Sequence, residues 1–123
     1  MKFIKKLILA AITSIYLYAG SMTGTAIKIN DGDTFVFLNQ STGEKFKVRL
    51  FGIDVPEKGQ TCGTEAFQVL YEEIFYKKVT IHYEDNKNGF PKTDKYGRII
   101  AIVEVDNKDI NRYMVQEGLI KGN

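Results

Sequence analysis

Between Lys45 and Leu50 the chain alternates without exception: Phe46, Val48 and Leu50 fall on one side, and Lys45, Lys47 and Arg49 on the other. A period of two belongs to a β-strand with one buried and one wet face, and an amphipathic helix cannot use it. The stretch predicts a strand over 45–53, with Arg49 on the face away from the core. Four similar stretches predict strands over 25–29, 34–38, 79–84 and 98–105, each bounded by turn chemistry: Asn30-Asp31-Gly32 after the first, a polar turn over 39–43, and a polar loop over 85–92 with Asn88-Gly89 and Pro91. Pro56 and Gly59 close the early strand region. Between the third and fourth strands, Phe67, Leu70, Tyr71, Ile74 and Phe75 recur at helical spacing, predicting an amphipathic helix over 65–78 that closes the barrel's open end. Asp109 can cap a second, short helix running through Gln116, with Gly118 to stop it. Five strands with a helix between the third and fourth is the order of an OB-fold barrel, so the expected class is mainly β with helices, α+β, in one domain.

At 123 residues there is room for one core. The first residues read differently from the rest. Lys2, Lys5 and Lys6 precede an apolar run over 7–19 that ends at the small residues Ala19, Gly20 and Ser21, the pattern of a secretory leader. The run falls short of the roughly 18 apolar residues that span a bilayer. The expected division is a leader over 1–21 and a domain over 22–123, secreted or periplasmic, with an uncleaved N-terminal anchor as the alternative. Of the 17 basic and 15 acidic residues, three basic ones lie in that leader, which leaves 14 against 15 in the domain. Global basicity is therefore no guide to its partners, and any attraction to a polyanion has to come from local clusters or a bound cation. The single Cys62 cannot form an internal disulfide and reads as structural. His82, the only histidine, sits in the fourth strand and reads as an exposed strand residue.

Three short stretches carry the chemistry: Asn30-Asp31-Gly32-Asp33-Thr34, then Val48-Arg49-Leu50-Phe51-Gly52-Ile53-Asp54-Val55-Pro56-Glu57, then Thr93-Asp94-Lys95-Tyr96-Gly97-Arg98. Each has an ordinary explanation when taken singly, since Asp and Gly make turns and a strand arginine is commonly a solvated face residue. Their combination is less ordinary. In a barrel of this order the turn after the first strand lies beside the end of the third, so Asp33 and Asp54 converge, and two converging carboxylates repel unless a cation sits between them. Hard oxygen donors suit Ca²⁺ or Mg²⁺ and not zinc, for which no Cys or His cluster is offered. Arg49 and Arg98 supply planar two-pronged donors that never lose their charge, which is what developing charge on phosphoryl oxygens requires. Glu57, just past Asp54 on a proline-stiffened chain, is placed to activate a water. Lys87 and Lys92 could add nonspecific attraction to phosphate, although a solvated loop accounts for them as well.

In order and spacing these stretches resemble the staphylococcal nuclease (thermonuclease) family, calcium-dependent phosphodiesterases that cut DNA and RNA; the resemblance runs from about Thr23 to the last residue. It implies Ca²⁺ bound by the side chains of Asp33 and Asp54 and by the main-chain carbonyl of Val55, a position where the family usually has threonine. It implies catalytic roles for Arg49, Arg98 and Glu57, with Glu57 as general base or orienter of the attacking water, and substrate contacts from Lys95 and Tyr96. The implied reaction cleaves the 5′ P–O bond and leaves 3′-phosphate ends. The implied partners are DNA and RNA, bound without sequence preference and preferably where single-stranded or flexible, by a monomer with no obligate protein partner. Longer members continue past the segment resembling Glu117-Gly118-Leu119-Ile120-Lys121 into a further tyrosine-bearing stretch and a third helix, for which this chain, ending at Asn123, shows no counterpart. The competing expectation is a non-catalytic OB-fold module, or truncated pseudoenzyme, that binds nucleic acid through aromatic stacking and basic grooves. The full set Asp33, Arg49, Asp54, Glu57 and Arg98 separates the two, because a pure binder has no use for it.

Overall fold

A computed structural model describes residues 18–54, 63–117 and 121–122. In chain order the elements are β1 (Gly20–Asp31), β2 (Thr34–Asn39), β3 (Lys45–Leu50), β4 (Ile53–Asp54), α1 (Gly63–Ile74), β5 (Lys78–Tyr83), β6 (Ile99–Val105), β7 (Lys108–Asp109), α2 (Ile110–Gln116) and β8 (Lys121–Gly122). The main sheet runs β3-β2-β1-β5-β6-β7, and a further parallel pairing of β3 with β6 closes its first five members into a barrel. The expected five-stranded OB-fold, with a helix between the third and fourth barrel strands and a short one near the C-terminus, is the fold observed.

The barrel interior is filled by inward positions of every strand, with Phe35 and Phe37 from β2, Val48 and Leu50 from β3, Ile81 from β5 and Val103 from β6 all fully buried. Helix α1 seals it with Ala66, Leu70 and Ile74, one residue per helical turn, and α2 adds Ile110 and Met114. Burying side chains of this size stabilises by about 1.5–3 kcal/mol each, which makes this shared core the main source of stability. Asp109 caps α2 as expected, accepting the backbone N–H of Arg112 at 3.0 Å. At Gly24 the neighbouring strand comes so close that a Cβ would sit 2.0 Å from the Leu38 carbonyl oxygen, so no side chain fits there.

Several boundaries differ from expectation, each for a local reason. Strand β1 has 12 residues and begins at Gly20, not near Thr25, because its first half pairs with β5 while its second half pairs with β2. Irregularities in its register between Ala26 and Lys28 and between Ile29 and Asp31 break the simple alternation that would have announced its length. The strand expected over 45–53 stops at Leu50, where Gly52, at φ 76°, turns the chain into the short β4. Helix α1 ends at Ile74, four residues before the expected limit at Lys78. There Tyr76 takes a left-handed conformation, φ 55°, and donates its N–H to the Ala26 carbonyl at 2.8 Å. Phe67, Tyr71 and Phe75 keep helical spacing across this boundary as an outer aromatic row, with the Tyr71 and Phe75 rings stacked 4.3 Å apart. His82 is not freely exposed: its Nε2 lies 2.8 Å from Glu104 Oε1 on β6, with 15% of the side chain accessible. Cys62 lies outside the described residues.

Candidate active site

The two-residue turn between β1 and β2 fixes the first carboxylate. Asp33 donates its backbone N–H to Asp31 Oδ1 (3.0 Å), and its carbonyl accepts from the backbone N–H of Leu50 at 2.8 Å, tying the turn to the end of β3. The second carboxylate, Asp54, is delivered by the bend at Phe51 and Gly52. Arg49 lies between them. Its Nη1 donates to the carbonyls of Leu50 and Ile53, both at 2.7 Å, and its Nη2 reaches Asp54 Oδ1 at 2.7 Å and Asp33 Oδ2 at 3.4 Å. The bend that ends β3 thus also turns two carbonyls onto the guanidinium and holds it rigidly.

Arg98 arrives from the other side of the barrel seam. Its Nε donates to Asp94 Oδ2 at 2.7 Å while its backbone N–H donates to Asp94 Oδ1 at 3.0 Å, and Nη1 lies 3.3 Å from Thr34 Oγ1. The Thr34 hydroxyl donates onward to Asp33 Oδ1 at 2.9 Å. A continuous chain of polar contacts therefore runs from Arg98 through Thr34 and Asp33 to Arg49 and Asp54. Parallel pairing of β3 with β6 sets Arg49 opposite Ile100, which brings the two arginines to one end of the barrel. They line a cleft of about 430 Å³ together with the bend at Phe51–Gly52 and the Asp94-Lys95-Tyr96 turn. Tyr96 is 69% exposed, and its ring lies 5.2 Å from the Arg98 guanidinium carbon and 5.1 Å from Lys95 Nζ.

Of the residues singled out from sequence, Asp33, Arg49, Asp54, Lys95, Tyr96 and Arg98 meet in this one place, while Val55 and Glu57 lie outside the described residues. Thr34 and Asp94 were not anticipated as site residues. Asp94 stands four positions before Arg98 across a tight turn at Gly97, φ 79°, and that spacing of acid and base around a turn was the available signal. The Arg98 contacts and the Tyr96 N–H hold the Asp94 carboxyl below the usual range, outweighing the opposing effect of partial burial.

Burial pushes the Asp33 carboxyl from 3.8 up to about 6, with the hydrogen bond and negative charge of Asp31 adding to the rise and Arg49 and Thr34 opposing it. A carboxylate this poorly compensated is one that a further cation would stabilise. Among the described residues no three His, Cys, Asp or Glu side chains converge, so the side-chain donors here are two hard carboxylates. That set fits a hard cation that keeps much of its water and does not fit zinc. The raised value also has a sign in stability. The fold favours protonated Asp33, so its contribution is complete below about pH 4 and is lost as pH rises through about 6. With divalent cations removed, urea unfolding of Asp33→Asn against the parent chain should therefore shift in the variant's favour by about 1–2 kcal/mol between pH 4 and 7, allowing for the part of the carboxyl that stays in water.

The family model described as staphylococcal nuclease homologue matches residues 47–121, a span that carries both arginines and Asp54. The chain belongs to the staphylococcal nuclease family. Its relatives include an uncharacterized endonuclease of Haemophilus influenzae, 33% identical over 97 residues, covering 79% of this chain and 50% of that protein. The micrococcal nuclease of Shigella flexneri is 34% identical over 106 residues, covering 78% of this chain and 55% of the relative. The thermonuclease of Staphylococcus hyicus is 28% identical over 109 residues, with 84% and 60% covered. This staphylococcal nuclease homologue thus spans between a half and three fifths of the length of those relatives.

Proposed function

We propose that this chain is a calcium-dependent phosphodiesterase that hydrolyses DNA and RNA and leaves 3′-phosphate ends. The observation that carries this reading is that two guanidinium groups line one open cleft while Asp33 and Asp54 meet at one of them, Arg49, in a chain of this family. Asp33 and Asp54 would hold the calcium ion, with the Val55 carbonyl as a further donor, and the ion would lend positive charge to a phosphate oxygen and leave coordination positions open for water. Arg49 and Arg98 bind and orient the phosphodiester, each presenting a planar, positively charged two-pronged donor. Both are anchored before substrate arrives, Arg49 by two carbonyls and Arg98 by Asp94, so little reorganisation accompanies charge development on phosphorus. Glu57 takes the proton of the attacking water. Tyr96, exposed beside Arg98, offers a ring on which an unpaired base can stack, which favours single-stranded or flexible substrate. Nothing in this machinery needs a second subunit, and the protein acts as a monomer.

Hydrolysis of a labelled oligonucleotide with calcium and with a calcium chelator tests the reading directly. Activity should vanish with the chelator and return when calcium is restored. Asp54→Ala should weaken calcium binding, followed by calorimetry, and activity together; unchanged calcium-dependent activity in that variant would remove Asp54 from the metal site.

Lys2, Lys5 and Lys6 before a short apolar run support export. Because Gly20 and Ser21 already pair with Tyr83 and His82, a cut after Ser21 would trim β1, and processing before Gly20 keeps the strand whole. N-terminal sequencing of protein recovered outside the cytoplasm should show a start at or before Gly20, and recovery only of full-length chain inside the cell would refute export.

A further inference from the structure

The outer face of β3, β2, β1 and β5 carries a set of lysines that the candidate site does not use. Sheet register arranges them in two rows. In the first, Lys47 pairs with Val36 and Val36 with Lys28; in the second, further from the cleft, Lys45 pairs with Leu38, Leu38 with Thr25, and Thr25 with Lys78. The buried neighbours Phe35, Phe37 and Val48 face inward, so these positions face out, and all four lysines are exposed. Among the described residues none of the four makes an ion pair, whereas Lys92 and Lys108 do. Neither row contains a carboxylate; Glu44, next to Lys45 in the turn, makes no ion pair among the described residues. The acidic side chains of the barrel wall lie outside these rows, with Asp31 at the cleft end of β1 accepting the Asp33 N–H, Glu104 on β6 engaged by His82, and Asp109 on β7 capping α2.

This concentration is notable against a domain whose basic and acidic residues nearly balance. Along β3 the positive groups Arg49, Lys47 and Lys45 recur at every second residue, a step of about 6.7 Å, comparable to the separation of neighbouring phosphates on an extended nucleic-acid strand. The first of the three is in the cleft. We propose that Lys28, Lys45, Lys47 and Lys78 form a second binding surface that holds the sugar–phosphate backbone of a nucleic-acid strand as it leaves the cleft. The proposal rests on the nuclease reading for the identity of the ligand. Unpaired lysines on a sheet are point charges that attract phosphate without reading bases, so the surface adds affinity and processive contact but no sequence preference.

The test is binding without cleavage, in chelator, of fluorescent single strands of about 3 and about 12 nucleotides to the full chain and to its variant with all four lysines changed to glutamine. The substitutions sit at exposed positions, and circular dichroism verifies the fold. For the long strand the variant should bind about 10- to 100-fold more weakly at low salt, and its slope of log K against log salt should be shallower by about 2–3. The short strand, confined to the cleft, should change less than about twofold. Equal losses for both lengths, or an equal loss per lysine in a Lys87→Gln, Lys92→Gln control on the loop beyond β5, would reduce the effect to net charge and overturn the proposal. Lysine-dependent binding to phosphatidylserine vesicles with unchanged binding of the long strand would assign the face to an anionic membrane and overturn it too. A chain that hydrolyses nothing yet shows the length-dependent loss keeps the lysine surface and rejects only the nuclease reading; active hydrolysis without that loss does the reverse.

Discussion

Arg49→Lys lowers turnover by about 10² or more, the scale of losing one donor that acts in the transition state. Lysine keeps the charge but has a single nitrogen, and Arg49 uses two at once: Nη1 on the carbonyls of Leu50 and Ile53, Nη2 toward Asp33 and Asp54. A lysine that satisfies the carboxylates abandons the carbonyls, and the charge is no longer held in place. Arg98→Lys suffers similarly, since Nε meets Asp94 while Nη1 meets Thr34. Substrate affinity should change far less, because attraction to phosphate survives the exchange. Steady-state kinetics decide between roles: a loss confined to KM with kcat intact would mean that the arginines only bind, and the non-catalytic module would become the better reading.

Asn111→Ala destabilises the chain by about 3–5 kcal/mol, a drop of roughly 15–30 °C in Tm for a domain of this size. The side chain is buried between α2 and the barrel. It accepts the Val103 N–H at 3.0 Å and donates to the carbonyls of Phe51 (2.9 Å) and Ala101 (3.1 Å). Alanine takes the side-chain partner from the Val103 N–H and the Phe51 carbonyl, while the Ala101 carbonyl keeps the Phe51 N–H at 2.8 Å, and leaving such groups unsatisfied costs more than the hydrogen bonds themselves contribute. One of them belongs to Phe51 at the rim of the cleft, so residual activity at low temperature should fall as well. Val115→Ala, on the exposed side of the same helix, should stay within about 0.5 kcal/mol and serves as the control.

Asn111 also shows where sequence reading stops. An asparagine in a short helix looks like a surface residue, and nothing in its neighbours announces that it bridges β6, 10 positions away, and the bend after β3, 60 positions away. By contrast, the alternation around Val48 encoded both a strand and the outward side of Arg49, because a half-buried sheet imposes that pattern. The Asp109 cap was legible for a similar reason: the side chain that satisfies a helix N-terminus is drawn from a very small set. The carboxylates and arginines could be picked out by the chemistry that their residue types perform, but Thr34 and Asp94, which hold them, could not, since threonine and aspartate serve many purposes in turns. The early end of α1 was hidden by Phe75, which keeps the helical spacing after the backbone has left the helix.

Arg49 and Arg98 become neighbours only through the parallel seam between β3 and β6. Every other pairing around the barrel is antiparallel; the seam brings Val48 beside Ile99 and, like the pairing of β1 with β5, closes a long loop at an entropic cost. A chain with all its hairpins formed but this seam open has no cleft, and its two guanidiniums sit on separate edges. On the proposed nuclease reading, hydrolytic competence would be a readout of complete closure, because a chain with this seam open cannot present both guanidiniums to one phosphate.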